Sequence, residues 1–105
     1  MARRRLLRMT ERAASDLARP GILTMYGAAW CGDCRRAQRL LDSRGVEYDY
    51  VDLVAAPERA DDAEALSGRK NIPVLVFPDG DVLVEPADAE LGAKLDAVSS
   101  AGGLS

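Results

Sequence analysis

Apolar positions recur along this chain in two alternating rhythms. After the Pro20-Gly21 break, residues 22–26 form a short run of bulky side chains, which predicts a buried strand. Residues 27–31 are small apart from one tryptophan and read as a loop. From Gly32 to about Arg44 the spacing becomes helical, with Cys34, Ala37, Leu40 and Leu41 on one face. Arg35, Arg36, Arg39 and Asp42 fall mostly on the other, and Gly45 is placed to stop the helix. Residues 46–53 alternate apolar side chains with Glu47, Asp49 and Asp52, the period of a strand. Ala56-Pro57-Glu58 predicts a second helix start, with proline in the first turn and acids near the positive end of the dipole; Gly68 closes it.

Residues 74–77 predict a third strand, Pro78-Asp79-Gly80-Asp81 a hairpin turn, and residues 82–85 the returning strand. A last helix starts near Ala87 and gathers Leu91, Leu95 and Val98 on one side. The order is β-α-β-α-β-β-α. The first two strands, joined through a helix, should be parallel, and the last two, joined by four residues, antiparallel. The expected architecture is therefore an α/β fold with a mixed four-stranded sheet flanked by helices. It is expected over residues 21–98, with an N-terminal extension at 1–20 and a flexible tail at 99–105.

Composition narrows the chemistry. At 105 residues, 48% hydrophobic and 30% charged, the chain suits one globular domain and no internal repeat. No apolar run approaches the roughly 20 residues of a spanning helix. There is no histidine, which removes the commonest general base, the usual zinc ligand and every Ser-His or Cys-His pair. The net charge of −3 hides an asymmetry. Residues 1–20 carry Arg3, Arg4, Arg5, Arg8, Arg12 and Arg19 against Glu11 and Asp16, a net +4 that leaves −7 for the remainder. Leu6, Met9, Ala13 and Leu17 give that head one apolar helical face. Its apolar run ends after Leu7, short of the roughly 7–15 residues of an export core. It reads as a solvated helix packed on the domain, as an extended start preceding Met9 or Met25, or as an arm that recruits a partner.

Two cysteines remain, in Trp30-Cys31-Gly32-Asp33-Cys34, at the junction of the first strand and first helix. At a helix N-terminus, unpaired N–H groups and the dipole stabilise negative charge, so Cys31 should ionise more readily than a free thiol at about 8.5. Cys34 lies one turn on, on the core face, within reach of Cys31. The spacing makes an exposed nucleophile and a protected resolving thiol, the requirement for thiol–disulfide exchange. Asp33 opposes the Cys31 thiolate and Arg35 and Arg36 favour it if they fold back, so a modest net lowering is expected. Half a zinc site is disfavoured for want of further ligands. An iron–sulfur cluster shared between two chains needs outside thiols. A static disulfide is disfavoured in a chain without export signals.

These residues resemble the thioredoxin fold and, within it, the small glutaredoxins. The resemblance is carried by residues 26–34, the βαβ unit that follows, Asn71-Ile72-Pro73-Val74, Pro78-Asp79-Gly80 and Pro86-Ala87-Asp88. It implies a cis-proline at Pro73 facing Cys31 and Cys34, and a substrate chain pairing beside Ile72 and Pro73. More narrowly the chain is similar to the actinobacterial mycoredoxins, which share Trp-Cys-Gly-x-Cys and the pattern Phe77-Pro78-Asp79-Gly80 through Pro86. The glutaredoxin tripeptide Thr-Val-Pro is replaced by Asn71-Ile72-Pro73. The glycine pair of glutathione-using members is absent, with residues 84–87 in its place.

The resemblance implies no tightly bound cofactor and a low-molecular-weight thiol co-substrate, mycothiol in preference to glutathione. Arg35, Arg69 and Lys70 become candidates for binding that thiol, with Trp30, Ile72, Pro73 and Asp88 around it and Asp33 as active-site neighbour. The implied activity is a cytoplasmic, monomeric thiol–disulfide oxidoreductase acting on disulfide-containing or thiol-modified proteins. A thiol/disulfide reductase system would serve it, and neither nucleic acid nor membrane is an expected partner. Recharging by a thioredoxin reductase is the alternative within that chemistry. From other classes come a dimeric iron–sulfur-binding module and an adaptor that docks through its basic head.

Overall fold

The computed structural model describes residues 17–100, Ser100 by its backbone only. Its elements are β1 (Leu23–Gly27), α1 (Gly32–Ser43), β2 (Tyr48–Asp52), a 3₁₀ turn (Pro57–Arg59), α2 (Ala60–Ser67), β3 (Val74–Val76), β4 (Val82–Val84) and α3 (Asp88–Ser100). The four strands form one sheet in the order β2-β1-β3-β4. β1 runs parallel to β2 and antiparallel to β3, and β3 is antiparallel to β4, as the connection lengths require.

The strand period of two divides the apolar side chains between two layers. Leu23 and Met25 of β1 join Leu75 and Phe77 under α1 and α3, which contribute Cys34, Ala37, Leu41, Leu91, Leu95 and Val98. Tyr26, Val74 and Val76 face the other way, onto Ala63 of α2, with Leu17 partly buried at the margin. Among the described residues no helix is long and apolar enough to cross a membrane.

Local chemistry sets the ends of the helices. α1 stops because Gly45 adopts φ +66, which lets its N–H donate to Asp42 O at 3.0 Å and that of Val46 to Leu41 O at 3.0 Å. Gly68 does the same for α2, with φ +76 and its N–H on Glu64 O at 2.7 Å. The second helix differs from expectation at its start: Pro57 opens a 3₁₀ turn, and α-helical bonding begins only at Ala60. β2 is shorter than the alternation over 46–53, since pairing with the five residues of β1 ends at Asp52. α3 reaches Ser100, two residues past the boundary expected at 98. Of the predicted head, Leu17 and Ala18 are helical; residues 1–16, like 101–105, lie outside the described residues. Lys94 ties the β3–β4 turn to α3, its ammonium 2.6 Å from both Asp79 and Asp81 and above the Phe77 ring.

Strand and helix approach closely at the last residue of β1. A Cβ at Gly27 would stand 3.0 Å from Cys34 Sγ and 3.2 Å from Cys34 Cβ, so only glycine admits α1 this close to the strand. Gly27→Ala is expected to destabilise the reduced protein by about 1–3 kcal/mol in urea unfolding. Combined with Cys34→Ala, the cost should fall short of the sum of the two single changes.

Candidate active site

The site begins where β1 ends. Gly27 is the last residue of the strand, and a turn closed by the Cys31 N–H on Ala28 O at 3.1 Å brings the chain back over it. Cys31 is then the N-cap of α1, with extended backbone (φ −89, ψ 116), and its Sγ accepts the Cys34 N–H at 3.3 Å. Sulfur thus takes the part that a serine or aspartate oxygen plays at most helix starts. An N–H aimed at Sγ is satisfied best when the sulfur carries negative charge. From the opposite side the Ile72 carbonyl lies 3.9 Å from Sγ, within reach of a thiol proton.

Cys34 has the contrary environment. It is fully buried under the sheet, and burial, then the hydrogen bond with Cys31, pushes its thiol up to about 12. At neutral pH it is a protonated thiol beside an accessible one. Tyr50 is half-buried nearby, its hydroxyl pushed up by burial and next by Cys34. The Ile72–Pro73 peptide bond is cis, and Pro73 is fully buried behind the cysteines' loop.

The other residues singled out from sequence divide into two groups. Trp30, Arg69, Lys70 and Ile72 come together, with Leu53, Ala60, Ala63 and Glu64, around a groove of about 220 Å³. Trp30 is 72% exposed, so it forms an open wall of the groove and leaves much of its ring in water. Arg35 and Asp88 do not join them. Arg35 donates to Ala29 O at 2.6 Å, bracing the loop in front of Cys31. Asp88, at the start of α3, accepts from Arg36 Nε at 3.1 Å.

Arg36 is the residue the sequence reading undervalued. It holds Asp33 at 2.8 Å through Nη1, Asp88 through Nε, and the Pro86 carbonyl at 3.4 Å through Nη2. One guanidinium therefore engages the acid next to the cysteines and fastens the start of α1 to the start of α3. The Asp33–Arg36 spacing of three residues is a helical contact that sequence can show. The link to Asp88, fifty-two residues away, has no such signal. On the far side of Ile72, Asn71 Nδ2 donates to Glu85 Oε1 at 2.7 Å and the Glu85 N–H to Pro73 O at 2.9 Å. Among the described residues no three metal-ligating side chains converge, so a cluster held at Cys31 would draw donors from outside them.

Comparison with known proteins agrees with this geometry. The glutaredoxin family profile matches residues 23–83. A protein provisionally named a glutaredoxin in Mycobacterium tuberculosis is 34% identical over 74 residues, spanning 70% of this chain and 88% of its own. Mycoredoxin 1 of Corynebacterium glutamicum is 31% identical over 78 residues, 73% of this chain and 96% of its own. The fold is shared with the buckwheat glutaredoxin–glutathione complex at a TM-score of 0.69 and 20% identity, over 94% of this chain and 96% of that one. With paired cysteines at the start of α1 and the thioredoxin-like sheet behind them, the chain belongs to the glutaredoxin family of thiol–disulfide oxidoreductases.

Proposed function

We propose that this protein reduces mixed disulfides on other proteins through Cys31 and Cys34, with mycothiol restoring the dithiol. The observation that carries the reading is the pairing of opposites at the start of α1. One sulfur is partly exposed and takes an N–H bond from the helix; the other is buried, protonated and adjacent.

The chemistry balances as a two-electron exchange. The Cys31 thiolate attacks a sulfur of the substrate disulfide, forms a new S–S bond and releases the other sulfur as a thiolate. Cys34 attacks the Cys31 sulfur and its proton passes to the departing substrate sulfur; the Cys31–Cys34 disulfide forms and the substrate leaves as a thiol. Where an external thiol instead attacks the substrate-derived sulfur of that mixed disulfide, the new S–S bond joins those two sulfurs and Cys31 leaves as a thiolate, regenerated directly. Burial keeps Cys34 protonated and out of competition for the first attack.

Choice of mycothiol rests on the similarity to mycoredoxin 1 and on the groove beside Cys31. Trp30 and Ile72 supply apolar walls, while Arg69, Lys70 and Glu64 offer both signs of charge to a hydroxyl-bearing thiol. Arg35 and Asp88 serve in this reading by holding the frame of the site, Arg35 bracing the loop before Cys31 through Ala29 and Asp88 fastening α3 to the start of α1 through Arg36. We place the reaction in the cytoplasm, where reducing conditions would keep the recharged dithiol available, and in a monomer, because the Cys31–Cys34 pair is complete within one chain.

Cys31→Ser is expected to lower mixed-disulfide reduction by roughly 10³-fold or more. Cys34→Ser should accumulate a covalent adduct at Cys31, seen by intact-mass spectrometry, that added mycothiol resolves. Full activity in Cys31→Ser would overturn the assignment. In parallel assays with mycothiol, glutathione and thioredoxin reductase, mycothiol should recharge the enzyme fastest. Failure with all three would overturn the reading, and success with the reductase alone would replace the thiol. The raised Cys34 value also sets a pH dependence of stability. A group whose value is higher folded than unfolded stabilises fully below its unfolded value, here near 9.0, and loses that contribution as pH rises toward about 12. The melting temperature of the reduced protein should therefore fall more steeply between pH 8 and 11 than that of Cys34→Ala. Tyr26 and Tyr48, also raised by burial, are common to both chains and drop out of the comparison, while the part of the Tyr50 shift that comes from Cys34 is lost with it and adds to the difference in the same direction.

A further inference from the structure

Glu85 is the one non-glycine residue with positive φ among those described, at +48. A side chain there is disfavoured, and such a backbone persists where its surroundings hold it. Here they hold it firmly. The Glu85 N–H bonds the Pro73 carbonyl, and its carboxylate accepts from Asn71 Nδ2 at 2.7 Å. These partners are the residues on either side of Ile72, whose carbonyl faces the Cys31 sulfur. An exposed carboxylate is thus latched beside the stretch of backbone that anything joined to Cys31 must lie against.

Acids outnumber cations along the connection from β4 to α3 and the helix start it meets, with Glu85, Asp88 and Asp33 against Arg36. The turn that follows Glu85 brings Asp88 to Arg36, which already holds Asp33, so two carboxylates share that guanidinium while the Glu85 carboxylate is held by the neutral Asn71 amide. The groove lined by Trp30 and Ile72 carries Arg69 and Lys70 against Glu64. Glu85 has spent one acceptor position on Asn71 and keeps others open to solvent.

We infer that Glu85 sets the charge selectivity of the site: it disfavours carboxylate-bearing thiols bound to Cys31 and favours those with neutral hydroxyl or cationic ends. The inference rests on Cys31 as the attacking sulfur and deepens the preference for a thiol other than glutathione. Glu85 is a specificity residue here, since exchange itself needs only the two sulfurs.

The test follows the first attack alone, by stopped flow on the fully reduced protein, so the recharging thiol does not enter. Three disulfides serve as probes: cystamine (cationic), bis(2-hydroxyethyl) disulfide (neutral) and 3,3′-dithiodipropionate (anionic). For each, the rate of Glu85→Gln relative to the unsubstituted protein cancels the differing leaving-group thiols. The anionic probe should gain about 3- to 10-fold, the neutral one should stay within about twofold, and the cationic one should slow, since a unit charge a few ångströms away in a partly solvated site acts at that level. The effect should shrink at 1 M salt, where the screening length is about 3 Å. Glu85→Gly, which suits the backbone at φ +48, should give the same pattern and guards against a folding defect. Ratios equal across all three probes would overturn the role of Glu85 and leave the oxidoreductase reading standing. No Cys31-dependent reaction with any probe would overturn both.

Discussion

A sulfur atom caps the first helix, and the site depends on that one bond. Because the Cys34 N–H reaches Cys31 Sγ at 3.3 Å, the accessible sulfur is the one served by the helix terminus, and the neighbour that donates the bond is carried into the core by the same turn. Exposure, charge stabilisation and reach between the two thiols all follow from a spacing of three residues at an N-cap. The absence of histidine sharpens the point: no imidazole can take the Cys31 proton, and the Cys34 N–H is the polar group that the helix start offers this sulfur.

The rest of the fold holds that helix start in place. β1 delivers it, and glycine at position 27 lets the Cys34 side chain sit directly on the strand. Pro73 and Ile72 close it from the opposite loop. Two polar latches then tie the connection between β4 and α3 to the site, Asn71–Glu85 on the cis-proline loop and Arg36–Asp88 on α1. Each is an exposed pair that contributes little to stability on its own. Their importance lies in where they put charge, with Glu85 held beside the Ile72–Pro73 backbone and Asp88 held at the start of α1.

Much of this was legible in sequence, for definite reasons. The bulky run of β1 and the period of three to four in α1 are burial patterns, and burial followed them at Leu23, Met25, Cys34, Ala37 and Leu41. Gly45 and Gly68 announced helix ends because left-handed backbone is cheap only for glycine, and both adopt it. Cys31 and Cys34 were legible because their spacing at a strand-to-helix junction is itself the chemistry. Proline at 57 pointed to a helix but could not distinguish a 3₁₀ turn from an α-helical one, since it suits the first turn of either. Glu85 reads as the end of a strand in sequence; its reversal to positive φ depends on contacts with Asn71 and Pro73 more than ten residues away. Arg35 and Arg36 are adjacent and alike in sequence, yet one braces a loop carbonyl and the other gathers two acids, a difference decided by tertiary partners.

A pulse of iodoacetamide at neutral pH tests the central claim most directly. The reduced protein would be exposed to limiting reagent for a short time, and the label at each cysteine counted in peptides by mass spectrometry. If Cys31 is the helix-capping, accessible sulfur and Cys34 the buried, protonated one, label should appear on Cys31 at least tenfold faster than on Cys34. Equal labelling of the two, or faster labelling of Cys34, would contradict the account.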